Sequence, residues 1–184
     1  MGLESMRYLL IGLACAASLT APTLAHGQDE VRVTTLARDD HILVSLVLPG
    51  AYSDEIRDAV ASGLETSFTF DIELRRAVPF WFDRTVDQAT VSASVQYDGL
   101  TDRYRVERTV DGRPEQAQVV EEEAAVRQLL TTLERLPLFE TGVLETNGDY
   151  GVRVRVDTRP RLSWFRWPWD RSGVLGRASF TFVP

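Results

Sequence analysis

Cysteine, histidine and lysine are scarce or missing in this chain, and their scarcity restricts the chemistry open to it. The 184 residues include one cysteine, two histidines and no lysine, so all 20 basic residues are arginine. A serine or cysteine hydrolase needs a histidine that accepts the proton of its nucleophile. Neither His26 nor His41 lies near a nucleophile-elbow pattern, and the chain has no glycine-rich phosphate loop. We therefore find no recognisable catalytic constellation and expect a protein that is not an enzyme.

The first 27 residues have the pattern of a cleaved secretory signal. Arg7 ends a short N-terminal region, residues 8–19 are apolar or small, and Ala25 lies at a suitable cleavage position. The apolar run is shorter than the about 20 residues that span a membrane. The alternative is a lipid anchor at Cys15, but Gly12 stands where such signals usually have leucine. We predict a periplasmic or secreted single domain of residues 28–184, without a transmembrane helix after cleavage.

Acidic residues outnumber basic ones, and this balance restricts the partners. There are 27 acidic and 20 basic residues, which gives a net charge of −7. Since nucleic-acid-binding domains are normally basic, we expect no nucleic-acid partner. The stretch Asp39-Asp40-His41 offers metal ligands, but a turn before a strand favours the same polar residues. We predict no metal site and no cofactor.

The pattern of apolar residues predicts a β-rich protein. Antiparallel sheets with one wet face produce alternating apolar and polar residues. In the segment "ILVSLVLP" at 42–49, the residues that point to either face of a strand are apolar, which predicts a central strand covered on both faces. Four dipeptides favour tight turns, and two of them, Asp111-Gly112 and Asn147-Gly148, are typical of hairpins. The alternating segments are residues 68–74, 91–97, 104–110 and 152–156, and the other two turns are Asp39-Asp40 and Asp98-Gly99.

Two helices are expected between these strands. Ser53 is a suitable N-cap for the first, and Gly63 is suited to its end. The second begins at residues 121–123, three glutamates that the positive end of a helix dipole favours, and its leucine stripe continues to Pro137. We predict a β-rich α+β fold, an antiparallel β-sandwich or curled sheet of about nine strands with two packed helices.

Arginines recur on the polar side of two predicted strands. If these strands belong to one sheet, their guanidinium groups could together bind an anionic ligand. The alternative, which we favour, is cross-strand pairing with carboxylates on similar faces. The arginines are Arg103, Arg105, Arg153 and Arg155, and the carboxylates are Asp71, Glu73, Glu107 and Asp157.

Two aromatic segments, "VPFWFDRTV" at 78–86 and "LSWFRWPWDR" at 162–171, are the strongest candidates for a site. Either one could close the core or form a contact surface, because tryptophan beside arginine is typical of interfaces. Neighbouring strand residues point to opposite faces, so three consecutive aromatics cannot all be buried. We predict a structural cluster with Trp81 buried, made of Phe80, Trp81, Phe82, Asp83 and Arg84. We predict a partner or ligand surface made of Trp164, Arg166, Trp167, Trp169 and Arg171.

Four stretches of the chain occur in an order found in a known family. They are "AVASGLETSFTFDIEL" at 59–74, "FWFDR" at 80–84, "YDGLTDRYRV" at 97–106 and "YGVRVRVD" at 150–157. In these stretches the chain resembles the domain of unknown function 4390, a family of exported bacterial proteins. The likeness covers about residues 55–183. Family members commonly have a Trp-Asp-Arg element, whereas here Phe82 stands between Trp81 and Asp83. The resemblance implies export and a loose connection with membrane signalling, and it implies no activity.

These observations favour a non-enzymatic module that contacts a protein partner in the bacterial envelope. A peripheral contact with the membrane surface is an additional option for the aromatic and arginine residues. The alternative function is a binding protein for a small ligand or a saccharide, which would have a concave pocket with an exposed tryptophan and acids at its rim. An enzyme of unrecognised type is the third reading.

Overall fold

The computed structural model describes residues 31–80, 82–160 and 174–183, so the predicted export signal lies outside the described residues. The helices are α1 (Asp54–Ala61) and α2 (Glu123–Thr131), and a short 3-10 turn covers Thr141–Val143. In chain order the strands are β1 (Arg32–Arg38), β2 (His41–Val47), β3 (Thr66–Arg76), β4 (Arg84–Asp98), β5 (Arg103–Val110), β6 (Arg113–Pro114), β7 (Gln118–Val120), β8 (Thr132–Glu140), β9 (Asp149–Pro160) and β10 (Val174–Thr181).

The strands form two antiparallel sheets. The smaller sheet has three strands in the order β1-β2-β8. The larger has seven strands in the order β10-β9-β3-β4-β5-β6, with β7 also paired to β5. Both helices contact β3 and β4 of the larger sheet. This architecture confirms the predicted β-rich α+β fold.

The predicted period-two stripes form the core. On β3 the apolar side chains are all at most 1% exposed, and the polar residues between them face outward. Side chains from β2, β4, β9 and both helices belong to the same buried cluster, so the core lies between the two sheets and the helices. Its largest members include Phe68, Phe70, Ile72, Leu74, Leu46, Leu130 and Phe139.

The strands β1 and β10 approach each other at a glycine where the two sheets meet. A Cβ atom added to Gly176 would lie 2.6 Å from the Cβ of Val31 and 2.7 Å from its carbonyl oxygen. It would also lie 2.8 Å from Cγ2 of Val33. Only a residue without a side chain allows the strands to come this close.

The short turns follow the sequence, with one exception. Asp39 and Asp40 have φ of 50° and 60°, and Asp111 and Gly112 have 49° and 74°, as primed hairpin turns require. Asn147 also has a positive φ, 61°. However, this turn leads from β8 into β9, which belong to different sheets. The hairpin predicted at Asn147-Gly148 is therefore wrong, because the two flanking strands do not pair.

Helix α1 agrees with the sequence, whereas α2 is shorter than predicted. Ser53 is the N-cap of α1, and Gly63 after its end has a φ of 82°. In contrast, α2 ends at Thr131 and the chain enters β8 at the next residue. Leu133 and Leu136 are therefore strand residues that pair with β2. Pro137 is tolerated because β8 is an edge strand.

Strand β2 is central in its sheet, as predicted, but only one of its faces is buried. Ile42, Val44 and Leu46 are at most 1% exposed. On the other face Val47 is 42% exposed, and Leu36 of β1 is 52% exposed. The prediction that both faces are covered is wrong, because an apolar residue does not require burial when much of any protein surface is apolar.

Candidate functional site

The loop that joins β3 to β4, residues 77–83, carries the most exposed aromatic side chains in the part of the chain that the structure describes. Phe80 is 106% exposed and Phe82 is 85% exposed. Phe80 also has a φ of 62°, which is uncommon for a bulky residue. Neither side chain reaches the core, so the interpretation of this segment as a core plug is wrong for these two residues. Trp81, which we predicted to be buried, lies outside the described residues.

Hydrogen bonds fix both ends of this loop, which we call the aromatic loop. At its end, the Nη2 of Arg75 donates to the carbonyl oxygen of Asp83 at 2.8 Å. At its start, the backbone N–H of Ala77 donates to the carbonyl of Asp149 at 2.9 Å. The preceding Arg76 forms two hydrogen bonds with the carboxylate of Glu145, one of them 2.7 Å long. These bonds raise the pKa of Arg76 above its ordinary value.

Asp83 and Arg84, the polar members of the predicted cluster, lie at the base of the aromatic loop and are exposed. Arg84 begins β4 and pairs with Arg76 in the backbone register. The structure therefore keeps Phe80, Phe82, Asp83 and Arg84 close together at one end of the larger sheet. All four side chains are exposed.

A cavity of about 230 Å³ lies beside the aromatic loop, on the outward face of the larger sheet. Gly151 of β9 and Ser179 of β10 are backbone partners and provide two small lining residues. Three guanidinium groups and one carboxylate also line it, so the lining is positively charged although the chain carries a net charge of −7. The lining residues are Arg75, Ala77, Asp83, Tyr150, Gly151, Val152, Arg153, Arg177 and Ser179.

The four arginines singled out in the sequence do not form one site. Strand β5 carries Arg103 and Arg105, and it is separated from β9 by β3 and β4. At a strand spacing of about 4.8 Å, β5 and β9 are about 14 Å apart. Arg103 lies 3.0 Å from Glu121, and the Nε of Arg105 lies 2.7 Å from Glu107.

On β9 the backbone register places two arginines opposite predicted carboxylates, but among the described residues neither Arg153 nor Arg155 lies within salt-bridge distance of one. Arg155 is opposite Asp71, and Arg153 is opposite Glu73. The sequence analysis missed Arg75 and Arg177, which also line the cavity. A glycine inside the alternating Val-Arg pattern of β9 was the available signal, because glycine in a strand often marks the close approach of a ligand.

A second cavity, of about 340 Å³, lies between the β5–β6 turn and β8. Its lining includes Asp111, Glu115 and Glu140, but no tryptophan among the described residues. Asp111 accepts a hydrogen bond from the Thr90 backbone N–H at 2.8 Å, so it stabilises the fold locally. His41 Nδ1 lies 2.8 Å from the carbonyl oxygen of Asp39. Within the described ranges, no group of three or more histidine or acidic residues is arranged to hold a metal ion.

The predicted partner surface in the second aromatic segment, from Trp164 to Arg171, lies outside the described residues. The strand before it is described. Pro160 at the end of β9 pairs with Thr66, whereas the aromatic loop follows Arg76 at the other end of β3. Because a strand rises about 3.3 Å per residue, the ends of β3 are about 30 Å apart. The two aromatic segments are thus attached at opposite ends of the larger sheet.

Together, these features define a β-rich α+β domain with an aromatic loop and an arginine-lined cavity at one end of an open sheet. The family model described as domain of unknown function (DUF4390) matches residues 29–161. The chain belongs to this family, which confirms the resemblance seen in the sequence. No curated protein and no solved structure matches the chain. In the described ranges, neither helix is long and apolar enough to cross a membrane.

Proposed function

We propose that this protein is a non-enzymatic interaction module of the bacterial envelope, exported by its first 27 residues, and that the aromatic loop contacts a protein partner. The observation that carries the proposal is the exposure of two phenylalanines, 106% for Phe80 and 85% for Phe82. A large apolar side chain gains little from contact with water, and buried aromatic anchors contribute much of the binding energy of protein interfaces.

The way in which the loop is held supports a role in binding. Arg75 and Ala77 hold its two ends through backbone carbonyl groups, and Arg76 is held by Glu145. When the ends of a loop are already fixed, less conformational entropy is lost when the loop binds. The positive φ of Phe80 points the same way, since such a conformation costs about 1 to 3 kcal/mol and persists where the surrounding structure fixes it.

The partner that this reading requires is another protein of the envelope. The resemblance to exported bacterial proteins connects the family with membrane signalling, and a membrane sensor would meet an exported module on the outer side of the inner membrane. In this reading, the domain acts by occupying a surface of its partner and carries out no chemistry.

Photo-cross-linking in the native bacterium tests the proposal. A photoreactive phenylalanine analogue replaces Phe80 in one variant and Leu100 in the other. Leu100 is a matched control because it is 98% exposed and lies in the β4–β5 loop, at the opposite end of β4. We expect a discrete heavier product from position 80 and none of that mass from position 100.

A stability measurement separates binding from folding. Phe80→Ala combined with Phe82→Ala should change the free energy of unfolding by less than about 0.5 kcal/mol per residue, as expected at a surface. If both cross-linking positions gave the same products, or if the double variant were strongly destabilised, the aromatic loop would not be a specific contact surface.

A further inference from the structure

We propose that the cavity lined by Arg75, Arg153 and Arg177 binds a small oxyanion, a molecule that presents a phosphate or a carboxylate group. This inference goes beyond the proposed protein contact. The cavity faces outward from β9 and β10, and although Ala77 and Asp83 of the aromatic loop line it, neither Phe80 nor Phe82 does, so anion binding and partner binding can be tested separately.

The first argument is the position of two like charges. Arg153 and Arg177 are direct backbone partners across β9 and β10, so their side chains leave the sheet side by side. Like charges directly opposite each other in a sheet destabilise it. In the described part of the chain, neither guanidinium lies within salt-bridge distance of a carboxylate, although Glu73 is the backbone partner of Arg153 on the other side. An anion between the two guanidinium groups would remove this repulsion.

The second argument is an unsatisfied donor on the third arginine. The Nε of Arg75 is buried and has no hydrogen-bond partner among the described residues. Its other nitrogens are engaged, Nη2 with the carbonyl of Asp83 at 2.8 Å and Nη1 with the carboxylate of Glu73 at 3.7 Å. A buried donor without a partner is costly, particularly on a charged group. Because this nitrogen is buried, an oxyanion oxygen could accept its hydrogen bond only after the side chain shifts, so Arg75 contributes mainly its positive charge to the cavity.

The third argument is the space itself. Gly151 has no side chain on the outward face of β9, and Ser179, its backbone partner on β10, has only a small one. The resulting cavity of about 230 Å³ exceeds by several times the about 30 Å³ that one water molecule takes up in the liquid. Planar guanidinium groups match the geometry of phosphate and carboxylate oxygens in pairs.

The acidic groups near the cavity restrict the ligand. The carboxylate of Asp83 is in the lining, and Glu73 lies beside Arg75. Three positive charges exceed these two negative ones, so a small anion is favoured and a cation is not. Arg155 is opposite Asp71 and does not line the cavity, which makes it the matched control among the arginines of β9.

Isothermal titration calorimetry of the purified protein tests the proposal with two probes, inorganic phosphate and succinate, against sodium chloride at the same ionic strength. We expect one or both probes to bind and sodium chloride not to bind. Arg177→Gln should weaken that binding about tenfold or more, the effect of losing charge-assisted hydrogen bonds. Arg155→Gln should bind as the unchanged protein does. Binding of only one probe would identify the site as specific for phosphate or for carboxylate.

Thermal unfolding without any anion provides the second readout. If the two guanidinium groups repel each other, Arg177→Gln should melt at the same temperature as the unchanged protein or at a higher one, so its weaker binding cannot result from unfolding. Two results would overturn the proposal. One is the absence of binding by both probes, and the other is an equal loss of binding in Arg177→Gln and Arg155→Gln.

Discussion

Replacing Gly176 by alanine tests how the two sheets are joined. The added methyl group would lie within 2.8 Å of three atoms of β1 and the residue before it, and real Cβ atoms essentially never show contacts below 3.0 Å. Two of these atoms are the carbonyl oxygen and the Cβ of Val31. Neither can move away by a side-chain rotation, so the backbone before β1 would have to shift.

The cost of this substitution follows from overpacking. Extra carbon atoms in a well-packed region usually destabilise a protein by about 1 to 3 kcal/mol. Alanine offsets roughly 0.5 to 1 kcal/mol of this cost, because it restricts the unfolded chain more than glycine does. Because the contacts with Val31 are as short as 2.6 Å and cannot be relieved by a side-chain rotation, the upper end of the overpacking range applies. We therefore expect Gly176→Ala to lower the free energy of unfolding by about 2 kcal/mol, a large share of a typical total of about 5 to 15 kcal/mol.

Urea denaturation followed by tryptophan fluorescence measures this change. Gly142→Ala is the control, because a Cβ atom at that position meets no atom within 4 Å. The control should alter the free energy of unfolding by less than about 0.5 kcal/mol. If Gly176→Ala were as stable as Gly142→Ala, β1 would not cross β10 at this glycine, and the joining of the two sheets as described would be wrong.

Three further predictions concern buried groups, two of them substitutions and one a pH dependence. Tyr52→Phe should raise the free energy of unfolding in urea by up to about 1 kcal/mol, since the Tyr52 hydroxyl is buried without a partner among the described residues; a loss of stability would show that the hydroxyl is bonded. Burial raises the pKa of Tyr52 from 10.0 to about 12, so the folded protein holds this proton more tightly than the unfolded chain does. Below pH 10 the hydroxyl is protonated in both states. Between pH 10 and pH 12 the unfolded chain releases this proton before the folded protein does, so the free energy of unfolding falls with rising pH. This fall should be less steep in Tyr52→Phe than in the unchanged protein. Leu130→Ala, in the core, should cost about 2 to 5 kcal/mol in chemical denaturation, whereas exposed Leu100→Ala should cost less than about 0.5 kcal/mol, and equal costs would contradict the described core.

The strands of the larger sheet are predictable from the sequence, because the alternation of apolar and polar residues that marks a strand lies within that strand. Phe68, Phe70, Ile72 and Leu74 alternate with polar residues, and all four are at most 1% exposed. When a sheet has one wet face, each strand carries that information in its own residues. The same holds for the turn at Asp39-Asp40, whose short polar side chains tolerate positive φ.

The helix-to-strand junction was not predictable in this way. Leu130, Leu133 and Leu136 have a spacing that fits one face of a helix, yet the last two belong to β8. Leu133 pairs with Leu46, and Leu136 with Val44. Pairing with β2, which is about 90 residues away in the chain, overrides the local spacing, and no local pattern carries that information.

The candidate site was predictable in part for the same reason. Alternation placed Arg153 on the wet face of its strand, and the structure agrees. The cavity also needs Arg75 and Arg177, and which strands lie beside β9 is a property of the sheet order. The exposure of Phe80 and Phe82 depends on where β3 ends, and strand ends are the least certain part of a sequence-based prediction.

The attachment of the two aromatic segments at opposite ends of β3 has a consequence for how many partners the domain can hold. A standard protein interface covers about 800 Å² on each partner, which corresponds to a patch about 30 Å across. The ends of β3 are separated by about the same distance, so one compact interface cannot be centred on both. A second partner bound near Pro160 would leave Phe80 accessible, and the domain would then hold two proteins at a fixed separation. Substitutions at the two ends would change two affinities independently, and their effects would add.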